Sequence, residues 1–244
     1  MPGNLNKESV HMKRFIVLAI LIALVIPPVY GMDFEIAQKG VKVGINLANA
    51  SGTTTDPGAG IDKKSKIKFG VGGYAEFEVN EMFSVMPELW ILWRGNGYEG
   101  SGTTASFSFT NLEIPILARY YILPDNDFKP VAFAGPVIGM NFGSNANIDM
   151  GALGTSDGKI QNASFFQLGL AFGAGAQYEF MNGYLVFDVR YYMGLTNFLS
   201  TPSNSDLANA SADDIWLVDT DDQGNVIDVD AKHNGIMFSV GYAF

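Results

Sequence analysis

The stretch SFFQLGLAFGAGAQYEF-MNG-YLVFDVRYYMGLTNF, residues Ser164 to Phe198, decides the fold. In its first half Phe166, Leu168, Leu170, Phe172, Ala174, Ala176, Tyr178 and Phe180 share one parity, and Gln167, Gly169, Ala171, Gly173, Gly175, Gln177 and Glu179 the other. Successive strand side chains point to opposite faces, so the segment has one apolar face and one small or polar face. The second half repeats this, with Leu185, Phe187, Val189, Tyr191 and Met193 set against Val186, Asp188, Arg190, Tyr192 and Gly194. Met181-Asn182-Gly183 between them is a tight reversal in which Asn-Gly can supply positive φ. Soluble strands usually run ~5–6 residues, whereas strands that cross a bilayer need ~9–11. The pattern therefore predicts a membrane β-barrel, apolar towards lipid and polar towards its lumen.

The rest of the chain is consistent with one such domain. Its 244 residues contain no polar linker, 28 glycines, 13% aromatic and only 16% charged residues. The net charge of −10 argues against nucleic-acid binding, which needs a basic face. The absence of cysteine excludes disulfides, thiolate metal sites and lipid attachment through an N-terminal Cys. Met12-Lys13-Arg14 followed by the apolar run Phe15–Ile26 and Pro27-Pro28 reads as a signal peptide, with Met12 as an alternative start. Cleavage after Gly31 leaves a barrel domain over residues 32–244.

Alternation marks further strands at Val41–Ala48, Lys66–Val79, Met82–Arg94, Phe107–Ile122, Pro130–Gly143 and Gly235–Phe244. With the opening hairpin these make eight antiparallel strands in up-and-down order. The connections alternate between short turns and long polar loops, the loops being Ala50–Ser65, Gly95–Ser106, Ser144–Ala163 and Leu199–Asn234. Short periplasmic turns and long extracellular loops are the expected arrangement, with both termini on the turn side. Closure leaves no strand edge to satisfy in lipid. Pro115 and Pro136 each remove a ladder donor and require local bulges or gaps. Trp93, Phe107 and Phe142 at the loop ends, and Tyr120, Tyr178, Phe180, Tyr242 and Phe244 at the turn ends, suit two interfacial girdles.

Several segments carry a family resemblance: KVGINLANASG from Lys42, FGVGGYAEFEVNEMFSVMPELWI from Phe69, NLEIPILARYYI from Asn111, KPVAFAGPVIG from Lys129 and the final FSVGYAF. The chain resembles the small outer-membrane β-barrel proteins of Gram-negative bacteria grouped as porin-family or PorT-like. The resemblance implies an outer-membrane location and an eight-stranded transmembrane barrel, and it implies little chemistry. Tyr242 and the terminal Phe244 look like the signal read by barrel-assembly machinery.

Eight strands enclose an interior that side chains just fill, so "porin" need not mean an open channel. The inward set supplies Lys42, Glu76, Glu78, Glu88, Glu113, Arg119, Glu179, Asp188 and Arg190. Carboxylates placed there must pair with cations or meet water, which predicts a charge-paired plug. A narrow pore in which Arg119 and Arg190 exchange partners is the alternative. No enzyme is expected: the one histidine beyond the signal, His233, has no base–nucleophile partner in the pattern and reads as a solvated or capping residue. Asp219, Asp221, Gln223 and Asp230 stand at the first, third, fifth and twelfth places of a calcium-loop spacing with Gly224 at the sixth. Gln223 and Asp230 depart from that pattern, and a metal-free hairpin pairing Trp216–Val218 with Val226–Ile227 is the plainer expectation. No cofactor is expected. The expected partners are outer-membrane lipid and the assembly machinery, with nothing in the loops naming a further one. A secreted lipocalin-like barrel shares the alternation and the signal, but would turn the apolar face inward.

Overall fold

The computed structural model describes residues 36–52, 62–100, 102–211, 214–221, 223 and 225–244. The expected signal peptide lies outside these residues. Eight strands form a closed ring: β1 (Ile36–Ser51), β2 (Asp62–Asn80), β3 (Phe83–Gly100), β4 (Thr103–Tyr121), β5 (Phe128–Asp149), β7 (Phe166–Phe180), β8 (Gly183–Gly194) and β12 (Lys232–Ala243). Each pairs antiparallel with its neighbours in that order, and β12 closes on β1 with Ile45 opposite Phe238. The short β6 (Thr155–Ile160) extends the sheet beside β5, and β9 (Asp214–Ile215) pairs parallel to it. The remaining pair, β10 (Asp219–Thr220) and β11 (Val226–Ile227), stands apart from the ring.

The ring puts apolar side chains outside. Val43, Ile45, Phe69, Val71, Ile91, Phe172, Phe187, Val189, Phe238 and Val240 are all exposed. Lys42, Glu88, Arg119, Asp188 and Arg190, from the opposite parity, are buried within. A lipocalin-like barrel needs the reverse, so that alternative fails.

The interior also explains the glycines of the polar parity. A side chain at Gly72 would press on the Trp90 ring, and one at Gly169 on Tyr192. Each glycine is a slot filled by the large inward residue of the next strand, the small/large alternation that a narrow barrel demands. Gly135 is tighter still: an added Cβ there would collide with the main-chain carbonyl of Ile116. It sits where the prolines open the ladder, because registered pairing lapses between Pro115–Val137 and Ala118–Ala134. The gaps expected of Pro115 and Pro136 are thus present, and Pro87 makes another, between Pro87–Ile116 and Trp90–Glu113.

Other expectations need correcting. The reversal after β7 places Met181 itself at φ 56°, while Gly183 already begins β8, opposite Phe180. Gly95–Ser106 is not a loop: β3 and β4 stay paired out to Gly100–Thr103. Its hydroxyl and glycine residues look loop-like in composition, yet Tyr98 and Phe107 turn inward and hold the hairpin together. Phe107 is consequently buried rather than part of an outer girdle, whereas Trp93 and Phe142 are exposed. β5 likewise runs to Asp149 through residues expected to be loop. Between β8 and β12 the chain forms a short helix, Asn204–Ala208, capped by Ser203, whose hydroxyl and amide hold the Asp206 carboxyl below its usual pKa.

A Gly135→Ala variant should yield much less folded, heat-modifiable protein on gels. Gly139→Ala, whose new methyl meets only ordinary contacts near Gln167, should assemble normally. Equal yields of the two would contradict the close approach at Ile116.

Candidate functional site: the charged lumen

The polar parity of each strand converges on the barrel axis, and the charges meet there at three heights. Nearest the Asn80–Phe83 turn, Arg119 Nη1 donates to Glu76 Oε2 at 2.9 Å. Ser84 and Tyr121 hydroxyls donate to the other Glu76 oxygen, and the Gln177 amide reaches Oε2 at 3.4 Å. Glu76 is therefore surrounded by donors from β2's neighbour β3, from β4 and from β7.

At mid-height Glu88 is the hub. Lys42 Nζ lies 2.8 Å from its Oε1, Arg190 Nη2 lies 2.7 Å from its Oε2, and the Trp90 indole donates to Oε2 at 2.8 Å. Lys42 also binds Asp188 Oδ2 at 2.6 Å and sits over the Tyr74 ring. Room for Asp188 comes from Gly175 across the β7–β8 pair, where a Cβ would strike its carboxylate. Met86 lies between the two levels, with its sulfur near both Lys42 and Arg119.

The third level is a pair that the alternation alone did not single out. Arg94 donates through Nε to Glu113 Oε1 at 2.8 Å, with Nη2 at 2.7 Å, and stacks over Tyr192. Arg94 stood on the polar parity but at the last position of its expected strand, so it read as an end rather than an interior residue. Conversely, Glu179 and Glu78 are exposed at the turn end and do not join the network. Parity gave their face correctly but not their height: each lies within two residues of a turn, level with the rim.

With Arg94 in and Glu179 out, the buried charges among the described residues are Lys42, Arg94, Arg119 and Arg190 against Glu76, Glu88, Glu113 and Asp188. Cations and anions balance one for one. Above them Phe107 and Phe109 of β4, Ile160 of β6, and Phe198, Leu199 and Val229 from the segment between β8 and β12 form an apolar cap. His233 belongs to this cap: it is buried, stacked on Phe198 at 3.8 Å and edge-on to Phe109. It is not the solvated histidine its position suggested. At the turn end an opening of about 180 Å³ leads in as far as Glu76, Tyr121 and Gln177.

The calcium-loop candidates lie outside the barrel. Asp219 pairs with Ile227 and Thr220 with Val226, so the hairpin exists but is shifted from the Trp216–Val218 pairing expected. The Asp221 carboxylate accepts from the Gln223 and Asn225 amides, which makes it a turn organiser. Asp230 lies 2.5 Å from Lys232 Nζ, in an ion pair beside β12. Tyr242 and Phe244 close the ring, with Tyr242 opposite Val41 and Leu185, and Phe244 exposed and bonded through its main chain to Lys39.

Removing one partner of a buried ion pair typically costs about 3–5 kcal/mol, because the other charge is left uncompensated. Glu88→Ala takes the carboxylate from Arg190 and leaves Lys42 with Asp188 alone, and urea unfolding in lipid vesicles should register a loss of at least about 3 kcal/mol. Glu179→Ala should stay within about 0.5 kcal/mol of the parent. Similar losses in both variants would contradict the assignment of height.

The family described as outer membrane protein beta-barrel domain matches residues 36–200. Among solved structures, the chain is similar to Ail, the attachment invasion locus protein of Yersinia pestis, crystallised in complex with the heparin analogue sucrose octasulfate. That similarity has 16% identity, covers 85% of this chain and 98% of that one, and gives a TM-score of 0.39. Neisserial surface protein A is similar at 14% identity over 84% of this chain and 97% of that one, with a TM-score of 0.41. OprG from Pseudomonas aeruginosa is similar at 14% identity, with coverages of 85% and 93% and a TM-score of 0.45. The comparison with curated proteins finds no match.

Proposed function

We infer the role of this chain from a premise that the family match supplies: it belongs to the outer membrane protein beta-barrel domain family and resides in the outer membrane of a Gram-negative bacterium. On this reading it is a structural or surface-interaction barrel whose lumen is closed, not a channel or an enzyme. The observation that carries it is the balanced set of four buried cations and four buried anions beneath the apolar cap. A conducting lumen would need a continuous hydrated path, and Trp90, Arg119, Leu117 and Met86 are fully buried across its middle. His233, buried and packed against two phenylalanines, fits a packing role in the cap.

The same reading places the turn end and both termini in the periplasm, after removal of residues 1–31, and the capped end outside. Tyr242 and Phe244 then serve as the signal for the assembly machinery, and outer-membrane lipid contacts the apolar wall. The hairpin around Asp221 works without calcium, its carboxylate already engaged by backbone amides.

A narrow pore is the second reading, and the opening that reaches Glu76 from the turn end favours it. Planar-bilayer recordings separate the two. The purified protein and its Arg190→Ala variant are both expected to give no unitary current steps; reproducible steps from the parent protein would overturn the closed lumen.

A further inference from the structure

The outer wall changes character just past Trp93 and Phe142. On β3 and β4 the outward positions become Gly95 and Gly97, registered with Ser108 and Ser106, while Phe107 and Phe109 of the other parity stay in the cap. β5 continues the outward row with Asn145 and Asn147 opposite those serines, and β6 with Lys159 and Asp157 opposite the asparagines. The result is a polar trough of about 740 Å³ on the outside of the barrel, walled at its far edge by Gln161 and Asp214. Glycine and serine make its floor low; amides and carboxylates make its far wall.

Cations flank it. The Lys66 and Lys68 side chains lie over Gly97 and Gly95, and Lys68 Nζ donates to Ser108 Oγ at 3.2 Å. Lys159 is exposed, and neither it nor Lys66 makes an ion pair among the described residues. The two acids are each engaged by an amide: Asn147 donates to Asp157 at 2.5 Å and Gln161 to Asp214 at 2.6 Å. Such Asn–Asp and Gln–Asp pairs present donors and acceptors side by side, which suits vicinal hydroxyls. The lysines suit phosphate.

Position selects the occupant. Exposed Trp93 and Phe142 end the apolar wall immediately below the trough, and aromatic girdles mark the headgroup level of a bilayer. Whatever lies in the trough is thus continuous with the lipid that covers Ile67, Phe69 and Ile91. We propose that this trough binds the phosphorylated sugar headgroup of an outer-leaflet glycolipid. The proposal rests on the capped end facing outward, as inferred above.

The full chain in detergent micelles, probed by native mass spectrometry with a bis-phosphorylated glucosamine glycolipid, tests it. The parent protein should retain this lipid at least about tenfold better than phosphatidylglycerol. The combined Lys66→Gln, Lys68→Gln and Lys159→Gln variant should lose about tenfold of that retention while keeping its heat-modifiable gel mobility. No preference over phosphatidylglycerol, undiminished retention by the variant, or equally tight binding of soluble glucosamine phosphate would each overturn it. Orientation is read separately, since the chain has no native cysteine. A Ser156→Cys protein should react with an impermeant maleimide in intact cells. Reaction only after lysis would overturn the orientation and the outer-leaflet source together, whereas reaction in intact cells without glycolipid binding would overturn the trough alone.

Discussion

Glu88, held by Lys42, Arg190 and the Trp90 indole, is the contact on which the interior depends. A carboxylate at that depth is tolerable only because two cations converge on it from different strands; Arg190 depends on it in turn, and Lys42 shares it with Asp188. Lys42 arrives from the first strand of the barrel and Arg190 from the seventh in ring order, so the cluster can form only once the sheet has closed. Buried ion pairs are weak contributors to net stability, but they penalise any register that separates them. A one-residue slip of β1, β2, β3, β4 or β8 would turn its buried charges to the apolar outside and leave their partners unmatched within.

The outer and inner surfaces solve different packing problems with one sequence period. Outside, bulky aliphatic and aromatic residues stand exposed because their solvent is lipid. Inside, the cross-section is too narrow for large residues on every strand, and Gly72, Gly169 and Gly175 yield space to Trp90, Tyr192 and Asp188. The apolar cap draws on residues from the connections as well as the strands: Phe198, Leu199 and Val229 come from the segment between β8 and β12. The long strands β2 to β5, of 18 to 22 residues, exceed what a bilayer needs and carry polar surface beyond it.

The alternation at Ser164–Phe198 made the fold and the inward parity readable without coordinates, because period 2 is a local property. Height along the axis is not local. It depends on stagger between strands, so Glu179 read as interior although it sits at the rim, and Arg94 read as a strand end although it lies deep beside Glu113. Composition misled at Gly95–Ser106, where serine, threonine and glycine suggested a loop and cross-strand pairing with inward Tyr98 and Phe107 made a hairpin. His233 was misplaced for a related reason: the cap that buries it is assembled from segments distant in sequence.

The most direct test of the balanced interior is a double-mutant cycle on the pair that completes it, Arg94→Met and Glu113→Met, followed by unfolding in vesicles. Each single change should cost about 3–5 kcal/mol, and the double change far less than the sum of the two, because it removes both charges together. Two small and additive losses would contradict it, since neither residue could then be the counter-charge of the other.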